Sequence, residues 1–154
     1  MKKYILIGAI ILSIVFIAGC TSSESSTSNK SFENTFVNFN YPDNVKIIDN
    51  STNDAVRISI LPSTSTDPND NPVGVINDFS DNKNKVLQQR SDIQNLTISG
   101  YNAVSSKDDQ SLYLDVFLDK NTDSTHYIEI STDLDQESVF NTIKNSLTIK
   151  SAQF

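Results

Sequence analysis

Residues Ser111 to Leu118 alternate in polarity along their length. Leu112, Leu114, Val116 and Leu118 fall on one side of an extended chain, and Tyr113, Asp115 and Phe117 on the other. Successive side chains of a strand point to opposite faces, so this stretch is predicted to be a strand. Asn121 to Ser124 has turn composition. Thr125 to Ser131 then supplies a second strand, and the two form a hairpin.

The rest of the chain carries similar short segments. Thr35 to Tyr41 is aromatic and β-branched and stops at Pro42, and Val45 to Ile48 comes next. In Ala55 to Leu61, Val56, Ile58 and Ile60 oppose Arg57 and Ser59. Pro62 to Asn71 is a polar loop. Asn71-Pro72 has the form of a helix start, with Asn as N-cap and Pro in the first turn. Ile76, Phe79, Val86, Leu87 and Arg90 share a face at helical spacing, which predicts a helix from there to about Arg90. The weak helix formers between Ser80 and Lys85 allow a later start.

Leu96 to Ile98 and Tyr101 to Ser105 are predicted strands around Gly100, and Asp108 to Gln110 is a turn. A second helix begins near Asp133 or Asp135 and carries Val139, Phe140, Ile143 and Leu147. Leu147 to Lys150 closes as a strand. Strands joined by turn-length links, with helices at two places, predict an α+β fold: an antiparallel β-sheet packed with two main helices.

The N-terminus has a different character. Lys2 and Lys3 precede an apolar run from Tyr4 to Phe16, and Ile17-Ala18-Gly19-Cys20 completes the segment. This is the layout of a secretory signal ending in a lipobox. Small residues admit a signal peptidase, and the Cys20 thiol is the nucleophile for diacylglyceryl transfer. The whole apolar stretch before Cys20, residues 4–19, is about sixteen residues, short of the roughly 20 that a spanning helix needs. A retained membrane helix is the alternative, and either reading puts the residues after Cys20 outside the cytoplasmic membrane. Residues 1–19 are thus the expected signal peptide. Residues 20–31 are the lipidated cysteine and a Ser/Thr-rich tether. Residues 32–150 are one domain, and 151–154 a tail.

Cys20 is the single cysteine, which excludes an internal disulfide or a thiolate metal cage. The net charge is −7; removing residues 1–19 takes away Lys2 and Lys3 and no acid, leaving −9. Such a domain is a poor partner for nucleic acid or anionic lipid. The expected membrane association is through the lipid on Cys20, with an envelope protein as the other candidate partner.

Several motifs together resemble the PsbP-like domains. They are an aromatic strand running into Tyr41-Pro42 and Val45-Lys46-Ile47, a central helix, and Gly100-Tyr101-Asn102-Ala103 between strands. The hairpin of residues 111–131 and a last helix ending Asn145-Ser146-Leu147-Thr148-Ile149 complete the set. The resemblance covers most of residues 32–150. Val45 stands where those domains usually carry Trp. The resemblance implies an α/β/α sandwich and an extracytoplasmic accessory role of the kind found in bacterial and methanogen lipoproteins. It implies no catalytic residues, and a fold does not by itself give a function.

Beyond the signal segment the glycines are Gly74 and Gly100. A phosphate-cradling loop needs several, so no nucleotide site is expected, and no Gly-x-Ser-x-Gly elbow exists. His126 is the single histidine, too few for a familiar zinc site. It supplies the one hydrolase alternative, as a general base for a serine; a hydrogen-bonded histidine at a strand start is the plainer reading. Asp67, Asn69, Asn71 and Asp78 have calcium-loop spacing. Pro72 occupies the position that demands Gly, however, and the closing Glu is missing. A solvated turn capped by Asn71 is the plainer reading, with Ca²⁺ the one cofactor considered.

Asp108, Asp109, Asp115, Asp119, Asp123, Asp133, Asp135 and Glu137 are expected to serve turns, caps and a solvated face. Tyr113 and Phe117 are core if helices cover both sheet faces, and a partner patch otherwise; core is expected. Asn29, Asn50 and Asn95 begin Asn-x-Ser/Thr sequons. The expected function is therefore a membrane-anchored extracytoplasmic lipoprotein with a non-catalytic accessory or binding domain. An envelope hydrolase using His126 and a cation binder are the alternatives.

Overall fold

In a computed structural model the described residues are 28–119 and 124–150. The signal segment, Cys20, the turn at Asn121 and the tail lie outside them.

The described chain is α+β, as the alternation of short strands predicts. A three-stranded sheet contains β1 (Asn29–Glu33), β2 (Val37–Pro42) and β10 (Thr148–Ile149), with β2 in the middle. A seven-stranded sheet contains β3 (Val45–Asp49), β4 (Arg57–Pro62), β5 (Gly74–Asn82), β6 (Ser91–Ile98), β7 (Tyr101–Lys107), β8 (Ser111–Phe117) and β9 (Ser124–Asp133). Its order is β3-β4-β5-β9-β8-β7-β6, and every pairing is antiparallel. Helix α1 (Lys83–Leu87) comes directly after β5, and α2 (Glu137–Ser146) after a 3₁₀ turn at Leu134–Gln136. No described helix is long and apolar enough to cross a membrane.

Two expectations need correction. The helix from Asn71-Pro72 to Arg90 is largely strand β5; only Lys83–Leu87 is helical. Ile76 and Phe79, expected on one helical face, leave opposite faces of β5: Ile76 is buried and Phe79 is 42% exposed. The physical reason is tertiary. β5 lies between β4 and β9 and pairs with β9 along its whole length, from Gly74 opposite Thr132 to Asn82 opposite Ser124. Those pairings outweigh a marginal helix signal in a stretch containing Gly, Asn, Asp and Ser, all weak helix formers. The true N-cap is Asn82, whose side chain accepts from the N–H groups of Asn84 and Lys85 at 3.0 and 3.3 Å. The second correction is at the tether. β1 begins at Asn29, so residues 29–31 pair with β2.

The main core lies between the seven-stranded sheet, the three-stranded sheet and α2. Ile58, Ile60, Ile76, Leu114, Ile128 and Ile130 meet Val37 and Phe39 from β2 and Val139, Phe140 and Ile143 from α2. Fully burying side chains of this size contributes about 1.5–3 kcal/mol each before entropy is counted. Gly74 sits where β5 presses on β9: a Cβ there would meet the Ser131 carbonyl oxygen and Thr132 Cγ2, each at 2.8 Å.

The opposite face has a smaller cover. Val86 and Leu87 of α1 pack on Val104, Phe117 and Tyr127. Both faces of β8 are therefore buried, as expected for Phe117, which is 3% exposed. Tyr113 is partly buried.

Candidate functional site

The smaller face carries the unusual chemistry. β8 and β9 pair with Asp115 opposite Glu129 and Phe117 opposite Tyr127. Strand parity places Asp115 and Glu129 on the side away from the main core, under α1. Asp115, expected to serve a turn, a cap or a solvated face, is instead fully buried, because α1 covers this face of the sheet, and neither of its carboxyl oxygens has a hydrogen-bond donor among the described residues. An isolated buried carboxylate is costly. The Glu129 carboxyl is near enough to share a proton with it, and two carboxyls hydrogen-bond only when one of them is protonated.

Arg90 is the cation of the cluster. It lies just beyond α1, and its Nη2 donates to Glu129 Oε2 at 2.9 Å. Its guanidinium carbon sits 3.0 Å above the centre of the Tyr113 ring, a cation–π contact strengthened by burial. Its Nη1 is 3.9 Å from Asp108 Oδ2. Asp108 in turn accepts from the N–H groups of Gln110 and Ser111 at 2.9 and 2.8 Å and from the Tyr113 hydroxyl at 2.8 Å. The β7–β8 turn therefore aims one carboxylate at Arg90 while Glu129 holds the other side.

The environment moves these groups in different directions. Burial, then the charge of Glu129, pushes the Asp115 carboxyl up to about 7 against the opposing pull of Arg90. Burial also raises Glu129, with Arg90 opposing. At Asp108 burial acts upward, but the hydrogen bonds from Gln110, Tyr113 and Ser111 and the Arg90 charge outweigh it, and the group lies below its usual range. Burial and the nearby Glu129 and Asp115 charges push the Tyr127 phenol up to about 12. A solvent-facing cleft of about 300 Å³ opens beside α1, lined by Asp81, Lys85, Gln89, Arg90, Asp108 and Tyr113 among others. A second, of about 290 Å³, lies between α2 and the sheet, where Asp92, Lys107, Glu137, Phe140 and Lys144 meet.

The other residues singled out in the sequence are dispersed. Cys20 and Asp123 lie outside the described residues. Asp67 closes a small turn, accepting from the Asn69 N–H at 2.8 Å and from its amide at 3.0 Å, and Asn71 is exposed. Asp78 is in β5, where its carboxylate accepts from the Val56 N–H at 2.8 Å. A calcium loop of the helix–loop–helix type has no exit helix there, because residues 74–82 are a strand. No group of three or more His, Cys, Asp or Glu among the described residues is arranged to hold a metal.

His126 is exposed and lies opposite Ser80, also exposed, in the β5–β9 register. Its backbone N–H donates to Asp119 Oδ2 at 3.0 Å. Asp109 is in the β7–β8 turn, Asp133 ends β9 and takes the N-cap position of the 3₁₀ turn that contains Asp135, and Glu137 opens α2, in keeping with turn and helix-start roles. Asn29, Asn50 and Asn95 are all exposed. No family profile matches the chain, and no curated protein matches it.

Arg90 and Glu129 are the site residues the sequence reading missed. One signal for Glu129 was present. The midpoint between Asp115 and Glu129 is residue 122, inside the predicted turn Asn121–Ser124, so a tight hairpin pairs the two acids. Arg90 had no such signal, because it comes from outside the hairpin.

Proposed function

We propose that the protein is an extracytoplasmic lipoprotein, anchored through Cys20, whose domain is a non-catalytic accessory or binding module. The observation that carries the non-catalytic part is the closure of the charged cluster on itself. Arg90 is engaged by Glu129, Tyr113 and Asp108, and Asp115 is sealed beneath it. Groups bound to one another in this way hold a structure together; a catalytic centre presents them to a substrate.

The hydrolase alternative has less support. His126 and Ser80 are both exposed, and acyl-transfer chemistry gains most of its rate in an enclosed site that excludes water. The cation-binding alternative loses Asp78, which is committed to Val56. The PsbP-like resemblance belongs to this proposal. The antiparallel sheet, the last helix and the closing strand favour it, while the central helix it anticipates is limited to Lys83–Leu87.

The anchor is tested by labelling the full chain with an alkynyl lipid precursor in a host that exports it. Label in the membrane fraction, lost in Cys20→Ser, is the expected result. An unlabelled chain that stays in the membrane after Cys20→Ser points to a retained helix instead. Incubation with ester, glycoside and peptide substrates tests the rest: turnover abolished by His126→Ala would sink the non-catalytic reading.

A further inference from the structure

We infer that Asp115 and Glu129 form an internal proton-binding site whose occupancy sets how firmly α1 is held against the sheet. Three geometric observations carry it. Asp115 is fully buried, and both its oxygens lack a donor among the described residues. Glu129 faces it directly across the β8–β9 pair. Arg90 is bonded to Glu129 at 2.9 Å and stands three residues beyond the end of α1.

The charge count then has two states. With one proton between them, one carboxyl donates its O–H to the other, and the guanidinium faces a single negative charge. Without it, two carboxylates face one guanidinium, and Asp115 is a buried anion with no donor. Asp115 shifts upward through burial and the Glu129 charge, in the direction this geometry requires. Lys83 of α1 lies over the Phe117 ring at 4.5 Å, but among the described residues Arg90 is the cation whose charge acts on both carboxyls. Other groups also face the pair. From β8 there is Tyr113, from β9 Tyr127, from the β7–β8 turn Asp108, and from β5 Asp81, which Lys85 of α1 holds at 3.1 Å. β7 adds the buried Ser106 hydroxyl, which also lacks a partner among the described residues.

The coupling to α1 comes from how little else holds that helix. Its apolar anchor is Val86 and Leu87 against Val104, Phe117 and Tyr127. Elements with few buried apolar contacts open first. Loss of the proton favours water entering beneath α1 to solvate Asp115, and Arg90 is the link that transmits this to the helix. This coupling is independent of the lipid anchor and of the accessory role.

Two measurements on the full chain test it. The first tracks the Asp115 side-chain carboxyl carbon by NMR during a pH titration. Its midpoint is expected near neutrality, well above the roughly 4 of an ordinary aspartate. The second tracks hydrogen exchange of amides 83–90, corrected for intrinsic rates, with protection expected to fall about tenfold or more between about pH 5 and pH 8. In Asp115→Asn, where an uncharged amide donates to Glu129 in place of the shared proton, protection is expected to stay level. A midpoint in the ordinary carboxylate range, or a fall that persists in Asp115→Asn, overturns the inference. If the variant does not fold, the titration of the unmodified chain decides alone.

Discussion

Arg90 donates to Glu129 over 2.9 Å although 39 residues separate them. The bond ties the segment after α1 to the middle of β9. It also sets the charge balance of a face that includes a fully buried aspartate. Both side chains are shielded, at 10% and 15% exposure. Removing one partner of a shielded pair leaves the other charge uncompensated. Arg90→Met is therefore expected to cost about 3 kcal/mol of unfolding free energy in urea denaturation. Arg90→Met with Glu129→Gln is expected to recover much of that loss. A double variant no better than the single one would show that the packing of Arg90 on Tyr113, and not its charge, is what matters.

The pH dependence of stability has a defined sign. Folded Asp115 keeps its proton up to about 7, whereas in the unfolded chain it is released near about 4. Between those values the folded state binds more protons, so stability falls as pH rises. This contribution is complete below about 4 and gone above about 7. Glu129, also raised, acts in the same direction. Asp49, where hydrogen bonds from Ser51 and Asn34 outweigh burial, and Asp108 lie below their usual range and act oppositely. Their contribution is present above about 4 and is lost as pH falls through their folded values. Thermal unfolding is expected to show its highest midpoint in mild acid and a decline towards neutrality. Asp115→Asn should flatten that decline; an equally steep decline in the variant would assign it to other groups.

Calcium is expected to leave the melting temperature unchanged, because Asp78 is committed to the Val56 N–H at 2.8 Å. The same bond predicts a loss of about 1–3 kcal/mol for Asp78→Ala, which strands a buried donor. A calcium-dependent rise in melting temperature that vanishes in Asp67→Ala would revive the cation site.

Gly74→Ala is expected to destabilise by about 1–3 kcal/mol, as overpacking does in a filled interior. The added methyl meets backbone oxygen at Ser131 and the Thr132 methyl at 2.8 Å each, and strand β5 has to shift to admit it. Denaturant unfolding of this variant, compared with Val75→Ala next to it, separates the steric effect from general weakening of the strand.

The strands and the last helix were legible in the sequence for a local reason. Leu112 to Leu118 alternates at the strand period, and Val139, Phe140 and Ile143 recur at the helical one. One face of each element is buried, so the pattern survives in the residue types. The α+β class came from those periods and the short links between them. β5 was not legible, because Ile76 and Phe79 suit either period and the choice came from β4 and β9, far away in sequence.

The candidate site divides along the same line. By itself the sequence determined that Asp115 occupies a polar position in an otherwise apolar strand, within hairpin reach of Glu129. It also determined that Cys20 is the single thiol. Only the tertiary structure decided that Asp115 is buried and that the Arg90 charge acts on it. Alternation assigns a residue to a face but does not say what covers that face. Here the cover is a five-residue helix that returns after β5 and brings Arg90 down onto Tyr113 and Glu129. Burial and charge pairing of this kind depend on long-range contacts, and those contacts turn an ordinary strand aspartate into a group that holds its proton up to about 7.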